Sequence, residues 1–300
     1  MNQVKGDETQ PQAPASSSLG PLDNNIHGHA MDSLYEVTRL PALKNSILPN
    51  PSRRTQSDDL ISRGVIPEAV AQQLFDRFVN RLDHYCYGIM CPHADLSALR
   101  SSSPLLTTAI RAVSALHDPG GSDVFKVCHA EFLGLVSASM FSLAFSTDDI
   151  RALIVGSYWL TPISYTLVGH AIRVATRLNY HVAYFAAIRG SQADVEKGRL
   201  WYVFYVLDHH SSILYGRPAI ISAAAEPSQQ WETFVASNGN SAIDLRITSQ
   251  VALHHVTAKA KDMLGSSADQ AVPEHFLGQL RGYFSELDRW YLVWGNRMGR

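Results

Sequence analysis

"LWYVFYVLDHHSSILYGRP", residues 200–218, decides how this chain is read. Eight apolar or aromatic residues, Leu200 to Leu207, run directly into Asp208, His209 and His210. The run is far short of the roughly 18 apolar residues that span a bilayer, and it stops at a charge. At helical spacing, Leu200, Val203, Phe204, Leu207, Ser211 and Leu214 share one face, and Trp201, Tyr205 and Asp208 share the next. Gly216 is a helix stop and Pro218 prevents continuation. A helix apolar most of the way round belongs in the middle of a domain. A charge at the end of such a run needs a partner, and Arg217 across the helix end is the expected one for Asp208.

The flanking sequence continues the helical pattern. Pro67 suits a first helical position, followed by Val70, Leu74, Phe78, Leu82 and Tyr85. Ser103 and Pro104 form a cap and first-turn pair for the stripe Leu106, Ala109, Ile110, Val113 and Leu116, which ends at "DPGG". Ser122 is the expected cap of a third helix carrying Phe125, Cys128, Phe132, Leu135 and Met140 on one side. Thr147, with Asp148 and Asp149 in a dipole-matched first turn, opens a fourth. Pro162 opens a fifth, with Leu167, Ala171, Val174 and Leu178 inward. The opening stretch is the sixth, and two more are expected over 243–264 and 273–294. The last starts at Pro273 and carries Phe276, Leu280, Phe284, Leu287, Tyr291 and Trp294. No alternating strand pattern competes, so the fold class is all-α.

Residues 1–57 differ in character. They are rich in Pro, Ser, Gln and Asn, and read as a mostly disordered arm, with "DSLYEVTRL" (32–40) as a short docked helix inside it. The organisation expected is this arm, then a helical domain over 58–300.

Composition excludes several classes. Of 300 residues 46% are hydrophobic and 17% charged, enough apolar content for a large core. Net charge is -2, and Arg53-Arg54 is the only basic doublet, so this chain is not built to grip a phosphate backbone by itself. The cysteines, Cys86, Cys91 and Cys128, are too few and odd in number for a secreted disulfide framework, which fits a reducing compartment. The N-terminus has no apolar h-region of a signal peptide, and no membrane contact is expected.

Candidate chemistry is thin. His209-His210 and His254-His255 are adjacent pairs, and neighbours on a helix point about 100° apart, so neither doublet chelates one ion. One histidine packed and one solvated is the expectation for each doublet. "HYCYGIMCPH" offers His84, Cys86, Cys91 and His93 to zinc, but lacks the usual C-x2-C knuckle. Free cysteine is commonly a small core residue. His117-Asp118 suggests an all-α metal-dependent phosphohydrolase of the H…HD…D kind, with His84 or His93 upstream and Asp208 distant. It is the leading enzyme alternative, but Pro119 and two glycines follow at once, which marks a turn rather than a rigid helical site. "GSSAD" and "GGSD" are turn composition, and no nucleophile elbow, phosphate loop or dinucleotide motif occurs. No catalytic, cofactor or metal residue is assigned.

Four segments, in order, resemble one family. "DLISRGVIPEAVAQQLFDRFVNRL" (59–82) resembles the helix leading into it, and "LRSSSPLLTTAIRAVSALH" (99–117) its start. "GHAIRVATRLNYH" (169–181) and "RLWYVFYVLDHHSSILYGRPAII" (199–221) resemble its later segments. The last carries the signature residues Trp201, Asp208, Tyr215, Gly216, Arg217 and Pro218. The family is the fungal-specific transcription factor domain, the middle homology region of zinc-cluster regulators.

The resemblance implies an all-α regulatory domain in a nuclear, pathway- or gene-cluster-specific transcription regulator, often of a nutrient-use pathway or a secondary-metabolite cluster. It also implies DNA binding by a separate cluster of six cysteines around two zinc ions, in a repeated C-x2-C-x6-C pattern. Residues 1–57 contain no cysteine, so the zinc-binding and DNA-contacting residues have no counterpart here, and no cofactor is expected in this chain itself. Family members commonly continue into further helices, so the resemblance also implies that the domain over 58–300 is incomplete at its C-terminus. A fragment, an alternative product, a short regulator that lost its cluster and an inactive relic all stay open. Without a cluster, DNA is reached indirectly, through a homodimer or a heterodimer with a zinc-cluster protein. A small-molecule effector between helices is a further expected partner.

Overall fold

Two helices carry the interior, and both are buried nearly all the way round. The computed structural model describes residues 59–224, 229–264 and 274–299. The expected arm over 1–57 and the short helix over 32–40 lie outside the described residues. Among those described there are eleven α-helices and no strand, so the chain is all-α as its periodicity implied. In chain order, α1 is Glu68–Arg77, α2 Leu96–Ser102, α3 Pro104–Leu116, α4 Ser122–Ser139, α5 Thr147–Trp159 and α6 Thr161–Arg177. They are followed by α7 Tyr180–Ile188, α8 Gln192–Tyr215, α9 Trp231–Ser237, α10 Ala242–Leu264 and α11 Leu277–Arg297.

Helix ends follow local chemistry. Ser103 caps α3, its Oγ accepting from Leu106 N at 3.0 Å. Thr147 opens α5 as expected, and Ser146 before it caps the helix in a reciprocal box with Asp149. Pro67 is the residue before α1, not its first residue. Ser122 is the first residue of α4 and not its cap. Gly121 holds the cap position because a Cβ there would collide with the Ala115 carbonyl. After Arg77 the first helix widens into a π turn, Phe78–Leu82, and tightens into a 3-10 turn, Asp83–Cys86. The change of period throws Tyr85 off the expected stripe and into solvent.

Three helices escape the periodicity argument: α2, α7 and α9. The α6 to α7 junction contains neither Gly nor Pro. Asn179 makes it by adopting a left-handed conformation, φ 63°.

Helix α3 is buried at every position from Leu105 to Ala115, and packs against α1, α2, α4 and α5. Helix α8 is buried at every position from Leu200 to His209, and packs against α5, α6, α7 and α10. Helix α9 lies against α7 and α10, and α11 against α10.

Some stripe residues do not turn inward. Leu116, Met140 and Leu214 are exposed, Leu214 at 63%. On α11 Phe284 and Tyr291 are also exposed, because the helix rests mainly on one neighbour and only Trp294 of its stripe is fully buried.

Close packing at Gly156 gives a direct test. A Cβ there would come within 2.8 Å of the Phe132 ring and 3.0 Å of Leu167. Gly156→Ala is expected to destabilise by about 1–3 kcal/mol in urea unfolding. Gly134 in α4 has open space around it, and Gly134→Ala is expected to stabilise by about 0.5–1 kcal/mol.

Candidate functional site

The C-terminal end of α8 is built around one carboxylate. Gly216 ends the helix in a left-handed conformation, φ 63°, and the chain folds back along it. Asp208 Oδ2 accepts hydrogen bonds from Ile220 N and Ile221 N, both at 2.7 Å. His209 Nε2 donates to the Ile221 carbonyl at 3.0 Å. The Arg217 carbonyl accepts from Ser212 Oγ at 2.5 Å and from Lys261 Nζ at 2.6 Å, while Lys261 also bonds Ser212 Oγ. The loop is therefore strapped to α8 and to α10. Burial pushes the Asp208 carboxyl upward, and the two amides and Lys261 oppose it.

The expected Asp208–Arg217 ion pair does not form. The backbone amides of the returning loop satisfy the carboxylate, so it has no need of a guanidinium. Arg217 is exposed and lies over the Tyr165 ring, 4.8 Å from its centroid. Tyr215 meets the same ring edge-on at 5.8 Å. Trp201 is buried against His181, Gly216 forms the turn, and Pro218 is exposed.

The other candidates each have a local structural role. In "HYCYGIMCPH", Asp83 accepts from Met90 N at 2.9 Å and Cys91 N at 3.4 Å and organises the loop. Cys86 is buried, which raises its thiol well above the usual range, and burial pushes Cys91 up to about 11. His93 pairs with Asp148 at 2.7 Å, and Asp148 also holds Arg151 at 2.6 Å. Asp118 pairs with Arg77 at 2.8 Å, and His117 meets the edge of Trp159. Asp118, His93 and Asp208 thus serve three separate contacts, and the H…HD…D arrangement is not assembled. Among the described residues no three His, Cys, Asp or Glu side chains converge as a ligand set.

One cleft gathers polar groups that the sequence reading passed over. It encloses about 640 Å³ beside the C-terminal half of α8, between the 3-10 turn, the α5 to α6 junction, α10 and α11. Arg246, Gln250 and His254 line it from α10 at i, i+4 and i+8, one stripe of a helix. Arg246 donates to the His84 carbonyl at 2.8 Å and lies over Tyr87, 5.6 Å from the ring centroid. His210 from α8 and aromatic rings including Tyr158 and Trp290 also line the cleft. Trp290 is fixed by its indole N–H, which donates to the Ser249 carbonyl at 2.8 Å.

His209 is packed and His210 exposed, as the doublet argument expected, yet His210 lies on the cleft wall; in the second doublet His254 is packed, but His255 is half-buried and not solvated. The His210 ring is 6.1 Å from His254, which is 7% exposed with an Nδ1 that has no hydrogen bond. Burial, then His209 and His210, push His254 down to about 4. His209 is pushed down to about 4, again chiefly by burial. Both rings are neutral at neutral pH. The Arg-x3-Gln-x3-His spacing is the signal that the sequence carries for this stripe.

Comparison with known proteins supplies one relative. The chain is 38% identical over 276 residues to the transcriptional activator of proteases prtT of Emericella nidulans. The match covers 92% of this chain and 42% of that protein, so the chain spans less than half of its relative's length. No protein-family model matches the chain. No solved structure matches it.

Two outcomes are expected from the α8 terminus. Asp208→Ala leaves two loop amides without their acceptor and should cost about 2–4 kcal/mol in urea unfolding, whereas Arg217→Ala should cost less than about 1 kcal/mol. The buried histidines should also make stability depend on pH. Their folded pKa lies below the unfolded value near 6.5, so the unfolded chain binds more protons between the two values. Stability should therefore fall as pH drops from about 6.5 towards about 4, and the slope should be shallower in His254→Asn.

Proposed function

We propose that this chain is the helical regulatory part of a fungal transcription regulator that acts in the nucleus. The supporting observation is the 38% identity to a transcriptional activator across 92% of this chain. The all-α architecture is compatible with that reading, and among the described residues no helix is long and apolar enough to cross a membrane. The four ordered segments point to the same family, the fungal-specific transcription factor domain.

In this reading the helical domain does not touch DNA. The three cysteines cannot supply the six ligands of a zinc cluster, and the chain carries a net charge of -2. DNA contact is supplied by a zinc cluster outside these residues or by a dimer partner that has one, and zinc belongs to that cluster. The domain transmits or restrains activity through partner contacts. Protease genes are the first targets to examine, because the relative's name says that it activates proteases.

Chromatin profiling of the tagged protein in its own cells should show enrichment at a limited set of promoters, and deletion should change the transcripts of the same genes. Absence of promoter occupancy together with unchanged transcripts would overturn the reading.

A further inference from the structure

The cleft beside α8 has a definite chemical character. Its volume, about 640 Å³, lies in the range of small-molecule sites. Its lining includes Arg246 but no Asp or Glu. A cation entering would meet Arg246 with no carboxylate to hold it. His254 adds no second positive charge near neutral pH, because burial holds it neutral. One guanidinium suits a monoanion better than a phosphate dianion, and its planar fork matches a carboxylate.

The walls favour a flat ligand. Tyr85, Tyr87, Tyr158, Tyr215 and Trp290 line the space, which supplies ring faces and edges for an aromatic group. Arg246 is positioned before any ligand arrives, since the His84 carbonyl and the Tyr87 face hold it. Gln250 lines the cleft one helical turn from Arg246 and supplies an amide for a polar substituent.

We propose that this cleft binds a small aromatic carboxylic acid, with its carboxylate on Arg246, its ring against the tyrosine and tryptophan wall, and a polar substituent on Gln250. A lone carboxylate on an aliphatic chain would leave the aromatic wall unused, and an uncharged aromatic compound would leave Arg246 unused. The ligand deepens the regulatory reading by giving the domain something to sense, and it rests on that reading for its biological consequence alone. The site itself rests on the geometry.

The test uses the purified full chain and matched probes. Calorimetry and thermal unfolding are run with 4-hydroxybenzoate, cinnamate and indole-3-acetate, each beside its carboxamide. At least one acid is expected to bind with Kd below about 1 mM and to raise Tm, and its amide to bind at least about tenfold more weakly. Arg246→Gln should remove the preference for the acid. Gln250→Ala should weaken binding about three- to tenfold, and Arg246→Lys should keep part of the preference. If Arg246→Gln fails to fold, the other two variants still decide.

No binding by any acid up to about 10 mM would overturn the proposal, as would equal affinity for acid and amide. Binding unchanged in Gln250→Ala and both Arg246 variants would place the ligand elsewhere and overturn it too. These readouts come from pure protein, so they can fail while promoter occupancy holds, and hold while occupancy fails.

Discussion

A helix that is apolar on every side has to be covered on every side, and much of this fold follows from meeting that demand for α8. Its buried run, Leu200 to His209, cannot be stable at a surface, so helices from both earlier and later in the chain converge on it. The demand extends to the backbone. Where the apolar run ends, Asp208 is already inside, and its charge is tolerated because the loop returns two amides to it. The turn at Gly216 and the strap from Lys261 make that return geometrically feasible.

The same end of α8 forms one wall of the cleft, so packing and the candidate site share a boundary. His210 faces the open space while His209, one residue earlier, is locked to the loop. On the opposite wall, α10 gives Ser249 to Trp290 and Arg246 to the loop at His84. That loop is held in turn by Asp83, and it leads to His93, whose partner Asp148 belongs to the first turn of α5. The cleft is thus framed by hydrogen bonds that link the Asp83 loop, α5, α10 and α11.

The sequence made the helices legible wherever apolar spacing and end signals agreed. Helix α3, with Ser103 and Pro104 at one end and "DPGG" at the other, and α8, with Gly216 and Pro218, are of this kind. It failed where an end signal was absent: Asn179 divides α6 from α7 by a rare backbone conformation that its neighbours do not announce. Stripe arguments also overstate burial where a helix has few neighbours, as Phe284 and Tyr291 show. The amide partners of Asp208 are hidden in the sequence because they lie twelve and thirteen residues on, beyond the turn, while Arg217 is the nearer polar group of opposite charge. The cleft was invisible for a related reason. Its polar groups come from α8 and α10, and only the fold brings His210 within reach of His254.

The all-round burial of α8 also matters before the chain is finished. The covering helix α10 ends at Leu264, roughly 50 residues after α8 is complete. At the usual pace of synthesis that interval lasts a few seconds. Throughout it, one flank of an unusually oily segment is still waiting for its cover, and exposed apolar surface of that kind recruits chaperones or aggregates. The nascent chain is therefore most vulnerable in that interval, and a pause in translation between Tyr215 and Leu264 would lengthen the exposure.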